Sequence, residues 1–167
     1  MKEMTKSNLG GALAGESQAH IKYLAFAAQA EKEGKANIAR LFTAVAYAEQ
    51  VHAINHLREL GYVGDTATNL RAAIGGEDFE VAEMYPAYIA VADLQEDKGA
   101  RRSMTYAFEV EKLHSVLYND ACAKLDAGRD MSDEELYVCP VCGFTHVGEP
   151  PERCPVCNAK RERFQTF

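Results

Sequence analysis

The sequence predicts an all-helical bundle followed by a small, metal-organised module of turns and short strands. Three observations predict this. Ala- and Leu-rich stretches with helical periodicity run as far as Asp130, interrupted by glycines placed where helices stop. Two Glu-x-x-His tetrads, Glu49-Gln-Val-His52 and Glu111-Lys-Leu-His114, lie inside this helical sequence and occur nowhere else. Four of the five cysteines form two Cys-x-x-Cys pairs near the C-terminus.

The elements follow in order. A first helix covers about residues 6–33, with Leu13, Glu16, His20, Tyr23 and Ala27 at helical spacing and Gly34 as its break. A second runs from about Asn37 to Leu60 and stops at Gly61. After a turn-rich stretch, Thr66 caps a short helix through Ile74, which Gly75-Gly76 ends. A third long helix extends from Asp78 to Lys98, and Gly99 ends it. A fourth runs from Ala100 to Ala127 and stops at Gly128. Short turns make helices 1–2 and 3–4 antiparallel hairpins. The longer segment between helices 2 and 3 serves as a crossover, which is the ferritin-like connectivity. The bundle is expected over residues 1–132 and the C-terminal module over 137–167, with Met131 to Glu135 as linker.

Composition narrows the function. The 167 residues are 47% hydrophobic, enough to bury a core. A formal charge of -7 disfavours nucleic acid, whose binding requires phosphate neutralisation. No apolar run has the length of a membrane span, and the N-terminus lacks a signal-peptide core, so a cytoplasmic protein is expected. In a reducing compartment the clustered cysteines read as metal ligands rather than disulfides. Gly10-Gly11-Ala-Leu-Ala-Gly15 opens a helix with no preceding strand and is no dinucleotide fingerprint.

On a helix, residues i and i+3 share a face one turn apart. Each tetrad therefore aims a carboxylate and an imidazole at one centre, and two tetrads on two helices form the ligand pattern of a dinuclear site. Glu49 and Glu111 are 62 positions apart, and the same step from Glu16 falls two residues short of Glu80. Each helix pair thus presents a single Glu and then a tetrad, as a pseudo-two-fold site requires. Glu49 and Glu111 are assigned as bridges, Glu16 and Glu80 as terminal ligands, and His114 as ligand to one ion. Glu83 is an additional carboxylate one turn after Glu80, with His52 as its competitor at the other ion. Leu41, Val45 and His56 flank Glu49, and Met104, Phe108 and Tyr118 flank Glu111, which marks both faces as interior. A Glu in an apolar stripe costs several kcal/mol unless coordinated or neutralised. Pro86 should kink the third helix just after Glu83. Tyr23 could hydrogen-bond a ligand carboxylate or serve as a core tyrosine. His20, His56 and His146 lack partner ligands and read as structural or surface residues, and Cys122 as a buried free thiol.

Cys139-Pro-Val-Cys142 and Cys154-Pro-Val-Cys157 provide four thiolates for one tetrahedral ion. Structural zinc and redox iron use the same ligands. The tail alone favours zinc; next to a dinuclear redox site, an electron-transfer iron is the better assignment.

In its ordered set of motifs the chain resembles the rubrerythrin family over essentially its whole length. The set comprises Gly15-Glu16-Ser17-Gln18-Ala19, Ala48-Glu49-Gln50-Val51-His52, Glu80-Val-Ala-Glu83-Met84-Tyr85-Pro86, Glu111-Lys-Leu-His114 and the two cysteine knuckles. Eleven residues separate Cys142 from Cys154, as in a shortened rubredoxin. The resemblance implies a di-iron peroxidase that reduces hydrogen peroxide to water, with a third, rubredoxin-like iron relaying electrons. It implies that one iron exchanges Glu83 for His52 on reduction and that Tyr23 is the tyrosine beside the ligands. It also implies a homodimer or larger homo-oligomer and an external donor, either an NAD(P)H-dependent reductase or a rubredoxin. Competing readings are a ferritin-like ferroxidase and a binding module with a zinc-filled tail.

Overall fold

A computed structural model describes residues 1–167, which pack as two compact units, Met1–Gly64 and Asp65–Phe167. No helix is long and apolar enough to cross a membrane.

The first unit is a helical hairpin of α1 (Glu3–Lys32) and α2 (Ala36–Glu59). Its seam is made of alanines: Ala27 and Ala30 on α1, and Ala39, Ala46 and Ala53 at seven-residue intervals on α2, all buried. Small side chains on one stripe let the two backbones approach closely. His20 locks the seam, its Nδ1 lying 2.8 Å from the Ala46 carbonyl oxygen. This is the structural role expected for that histidine. Gly34 ends α1 by taking φ +72°, from which Lys35 N–H reaches Ala30 O at 2.8 Å and Gly34 N–H reaches Glu31 O at 2.9 Å. Gly61 and Gly128 close α2 and the last helix in the same manner.

In the second unit, α3 (Thr66–Phe79) passes through a π-helical turn (Glu80–Met84) into α4 (Tyr85–Leu94), and α5 (Lys98–Asp126) returns alongside. Arg71 pairs with Asp126 at 3.3 Å and Ser115 donates to Asp78 at 2.6 Å, so α3 and α5 are antiparallel. Three sequence expectations change here. Gly75 and Gly76 lie inside α3 rather than ending a short helix, so the segment expected to form the crossover belongs to a long helical run. Glycine costs only about 1 kcal/mol in a helix interior, which packing along α5 offsets. The cap of α3 is Asp65, which accepts from Thr68 N–H at 2.8 Å, rather than Thr66. Gly99 does not end the third helix either. Glu96 takes the left-handed position at φ +55°, and Asp97 caps α5 by accepting from Ala100 N–H at 2.9 Å.

The kink expected at Pro86 is a π turn. Without an N–H, Pro86 cannot close the usual bond to the preceding turn, and Tyr85 N–H bonds the Glu80 carbonyl five residues back.

The C-terminal module is a three-stranded antiparallel sheet of β1 (Leu136–Val138), β2 (Thr145–Val147) and β3 (Gln165–Thr166), in the order β2-β1-β3. Tyr137 faces His146 across one ladder, and Val138 faces Gln165 across the other. The core of the module is not its own alone. Val110 of α5 is 1% exposed and packs with Cys139, Phe144 and Cys154, with Leu113 alongside.

Candidate metal centres

Each cysteine knuckle is a turn held by its own backbone. Gly143 N–H donates to Cys139 O at 2.9 Å, and Asn158 N–H to Cys154 O at 2.9 Å. Both turns need a residue at positive φ, supplied by Gly143 at +86° and Asn158 at +63°. The knuckles bring the sulfurs of Cys139 and Cys157 to 3.5 Å, and those of Cys142 and Cys154 to 3.5 Å. A disulfide would need about 2.05 Å, whereas four thiolates around one ion at ~2.3 Å sit about 3.8 Å apart. The spacing therefore suits a shared tetrahedral ion. Burial pushes the Cys139 thiol up, but the N–H groups of Val141 and Cys142 outweigh it and hold the thiol below its usual range. Burial pushes the Cys142 and Cys157 thiols up.

The helical ligands gather in two sets. In the first unit Glu16, Glu49 and His52 converge, with donor atoms within 4.8 Å of one another. His52 Nδ1 lies 2.9 Å from Glu49 Oε2 and 3.9 Å from Glu16 Oε1. Glu16 on α1 and the tetrad on α2 meet because the alanine seam fixes the register of the hairpin. Tyr23, one of the sequence candidates, lies with Phe26 and Phe42 at ring separations of 6.2 and 6.1 Å. No hydrogen bond joins its hydroxyl to Glu16 or Glu49. Leu41, expected as an interior neighbour of Glu49, is 62% exposed in the single chain.

In the second unit Glu111 and His114 converge with Glu77, again within 4.8 Å. His114 Nδ1 lies 2.6 Å from Glu111 Oε2. Burial, and then a hydrogen bond to Glu111 and the charges of Glu111, Glu80 and Asp78, push the Glu77 carboxyl up to about 7. Burial and Glu111 also push Glu80 up, while His114 pulls it down. Glu80 thus sits in the same field, one turn from Glu77. Glu83 is exposed on the π turn, outside the three-donor set. Tyr85 faces these carboxylates: burial, and then Glu80, Glu111 and Glu77, raise its phenol above the ordinary value.

Glu77 and Tyr85 were not among the sequence candidates. Glu77 lies three residues before Glu80, on the same helix face, but ahead of the expected helix start. Cys122 is half-buried, with Sγ 4.0 Å from Asp126, rather than buried.

The donor set fits iron. A mixed carboxylate–imidazole set suits Fe, and raised carboxyls crowded together mark a place where positive charge is missing. Four free thiols at tetrahedral spacing suit Fe or Zn.

Comparison with known proteins agrees with this geometry. The rubrerythrin family model matches residues 7–122, and the model for the rubrerythrin rubredoxin-like domain matches residues 137–165. Rubrerythrin-2 of Clostridium acetobutylicum is 41% identical over 178 residues, covering 98% of this chain and 97% of that protein. Nigerythrin of Nitratidesulfovibrio vulgaris is 36% identical, covering 98% and 86%. A structure of fully reduced, all-ferrous nigerythrin superposes with a TM-score of 0.59 at 33% identity, covering 98% of this chain and 86% of that one. Matched by both family models, and along nearly all its length by these relatives, the chain belongs to the rubrerythrin family.

Proposed function

We propose that the protein reduces hydrogen peroxide to water at a di-iron site, with electrons relayed through a third iron held by Cys139, Cys142, Cys154 and Cys157. The observation that carries this reading is the sharing of α5. Val110 is buried in the core of the cysteine module, and the next residue, Glu111, belongs to the carboxylate–histidine set. A one-electron centre placed beside an oxygen-ligand centre serves turnover; iron storage has no use for it.

Iron, when bound, supplies one-electron redox chemistry at both places. Glu49 and Glu111 would be the shared ligands, Glu16 and Glu80 terminal ligands, and His114 a standing ligand. His52 and Glu83 would be alternate ligands to one ion. Their settings support that division: the side chain of His52 is 54% exposed and that of His114 27%. The exposed Glu83 sits on a π turn, a local irregularity frequent at functional sites. Each peroxide consumes two electrons and two protons and yields two waters. A cytoplasmic reductase or rubredoxin would be the electron donor, with Cys139, Cys142, Cys154 and Cys157 holding the iron that receives the electrons.

The test is rapid mixing of the anaerobically reduced, iron-loaded protein. Reoxidation by peroxide should outpace reoxidation by oxygen at equal concentration. Faster reaction with oxygen, together with retention of many ferric ions per chain, would establish the ferroxidase reading instead.

A further inference from the structure

We propose that Glu77 is a metal ligand. With Glu111 and His114 it completes a three-donor site for one divalent ion in the second unit, the counterpart of Glu16 beside Glu49 and His52 in the first. The inference rests on the reading of Glu111 and His114 as metal ligands, and it adds a donor three residues ahead of Glu80.

The two sets match in chemistry and in origin. Each has two carboxylates and one imidazole, with a single Glu on one helix and the tetrad on the helix packed against it. Glu111 and His114 lie 62 positions after Glu49 and His52, and Glu77 lies 61 after Glu16. Glu80 lies 64 after Glu16, two residues out of step. Glu77 thus keeps the internal repeat more closely than Glu80 does. In both sets the donor atoms lie within 4.8 Å of one another. Two donors at ~2.1 Å from one ion are at most about 4.2 Å apart, so each set has to contract by no more than roughly 0.6 Å to share an ion.

Local structure holds Glu77 at this spot. Ser115, next to His114, donates to Asp78, next to Glu77, at 2.6 Å. That bond sets the register of α3 on α5 beside the donors, and the Arg71–Asp126 pair at 3.3 Å sets it again farther along. His114 Nε2 lies 2.9 Å from Thr145 Oγ1, which leaves Nδ1 as the ring nitrogen on the side of Glu111, 2.6 Å from its Oε2. Glu77 lies in the regular part of α3, whereas Glu80 and Glu83 sit on the π turn. A donor on a regular helix is held by the unbroken ladder of backbone bonds; donors on a π turn are not. The three-donor set is therefore complete without either residue of the turn, and its carboxylate on α3 is the one that regular helix geometry aims.

Cobalt titration of the full chain, with the four thiolates first filled by zinc, tests this through the paramagnetic NMR shifts of His114. Glu77→Gln keeps the shape and removes the charged oxygen donor. It should weaken cobalt binding at His114 by at least about tenfold, the smallest loss expected when even an outer partner of a metal ligand is removed. Glu80→Gln should weaken it less. Glu77→Gln also removes a negative charge from beside Glu111, Glu80 and Asp78, so the metal-free variant should be no less stable than the wild type in thermal unfolding above neutral pH. A loss smaller than tenfold in Glu77→Gln overturns the proposal, as does an equal or larger loss in Glu80→Gln. A metal-free Glu77→Gln protein less stable than the wild type also overturns it, since Glu77 would then support the fold rather than the ion. Wild-type protein that binds no cobalt at His114 would sink the metal reading together with the proposal; normal wild-type binding with Glu77→Gln unaffected sinks the proposal alone. No peroxide is used, so the outcome is separate from the peroxidase reading.

Discussion

Val110→Ala tests whether the cysteine module and α5 form one folded piece. Val110 is 1% exposed and lies in a cluster with Cys139, Phe144 and Cys154. The substitution removes two methyl-sized groups, at about 0.8 kcal/mol each by transfer, and leaves a small cavity. The total is about 2 kcal/mol. The docked module is the one whose four sulfurs are set for a shared ion, so the loss is expected to appear in metal affinity. By linkage, 2 kcal/mol is a factor of about 30 in metal affinity. Competition with a coloured chelator should therefore show the four-cysteine site weakened by roughly 10–100-fold, with the helical circular dichroism unchanged. An affinity within twofold of wild type would refute the reasoning, since the module would then close around its metal without support from α5.

Four further outcomes are expected. In metal-free protein Glu77 holds its proton more tightly folded than unfolded, with a folded value of about 7 against 4.5. The wild type should therefore lose stability relative to Glu77→Gln as pH rises from about 4.5, with the loss complete above 7; screened by solvent, it amounts to about 1 kcal/mol by denaturant titration. Cys154→Ser removes one of four thiolates, whose combined binding of zinc is worth roughly 10–16 kcal/mol, so affinity should fall by about a hundredfold or more in the same chelator competition. Asp97→Ala removes the cap on α5 and should cost about 1 kcal/mol, seen as faster amide exchange at Ala100 and Arg101. Ala46→Leu overfills a fully buried point of the hairpin seam and should cost about 1–3 kcal/mol in thermal or urea unfolding.

The sequence was most legible where chemistry and geometry share a short range. Glu49 with His52, and Glu111 with His114, meet because helical spacing alone puts them on one face. The knuckles close because Cys-Pro-Val-Cys is itself a turn, and the stops at Gly34, Gly61 and Gly128 are local backbone requirements. Legibility failed where packing outweighs propensity. Gly75-Gly76 is a stop by composition, yet α5 alongside keeps α3 helical through it, which moved the helix start and hid Glu77. Glu96 at positive φ carries no glycine signal, and only Asp97 beside it, a good cap, could have marked that boundary. The bond from Thr145 to His114 joins residues 31 positions apart and has no local signature.

The π turn at Glu80–Met84 has a consequence for the whole rod of α3 and α4. One surplus residue in a helix rotates everything after it by about 100° relative to everything before it. The turn is therefore a phase adjuster. Upstream of it Glu77 meets Glu111, and downstream of it Ala92 is buried on α4, which packs along the same α5. Deleting a single residue from the turn would leave a smoother helix and would swing one of those two surfaces away from its partner. Glu80 and Glu83 sit where the phase changes, the one stretch of the rod whose turn is not fixed by regular α-helical hydrogen bonding.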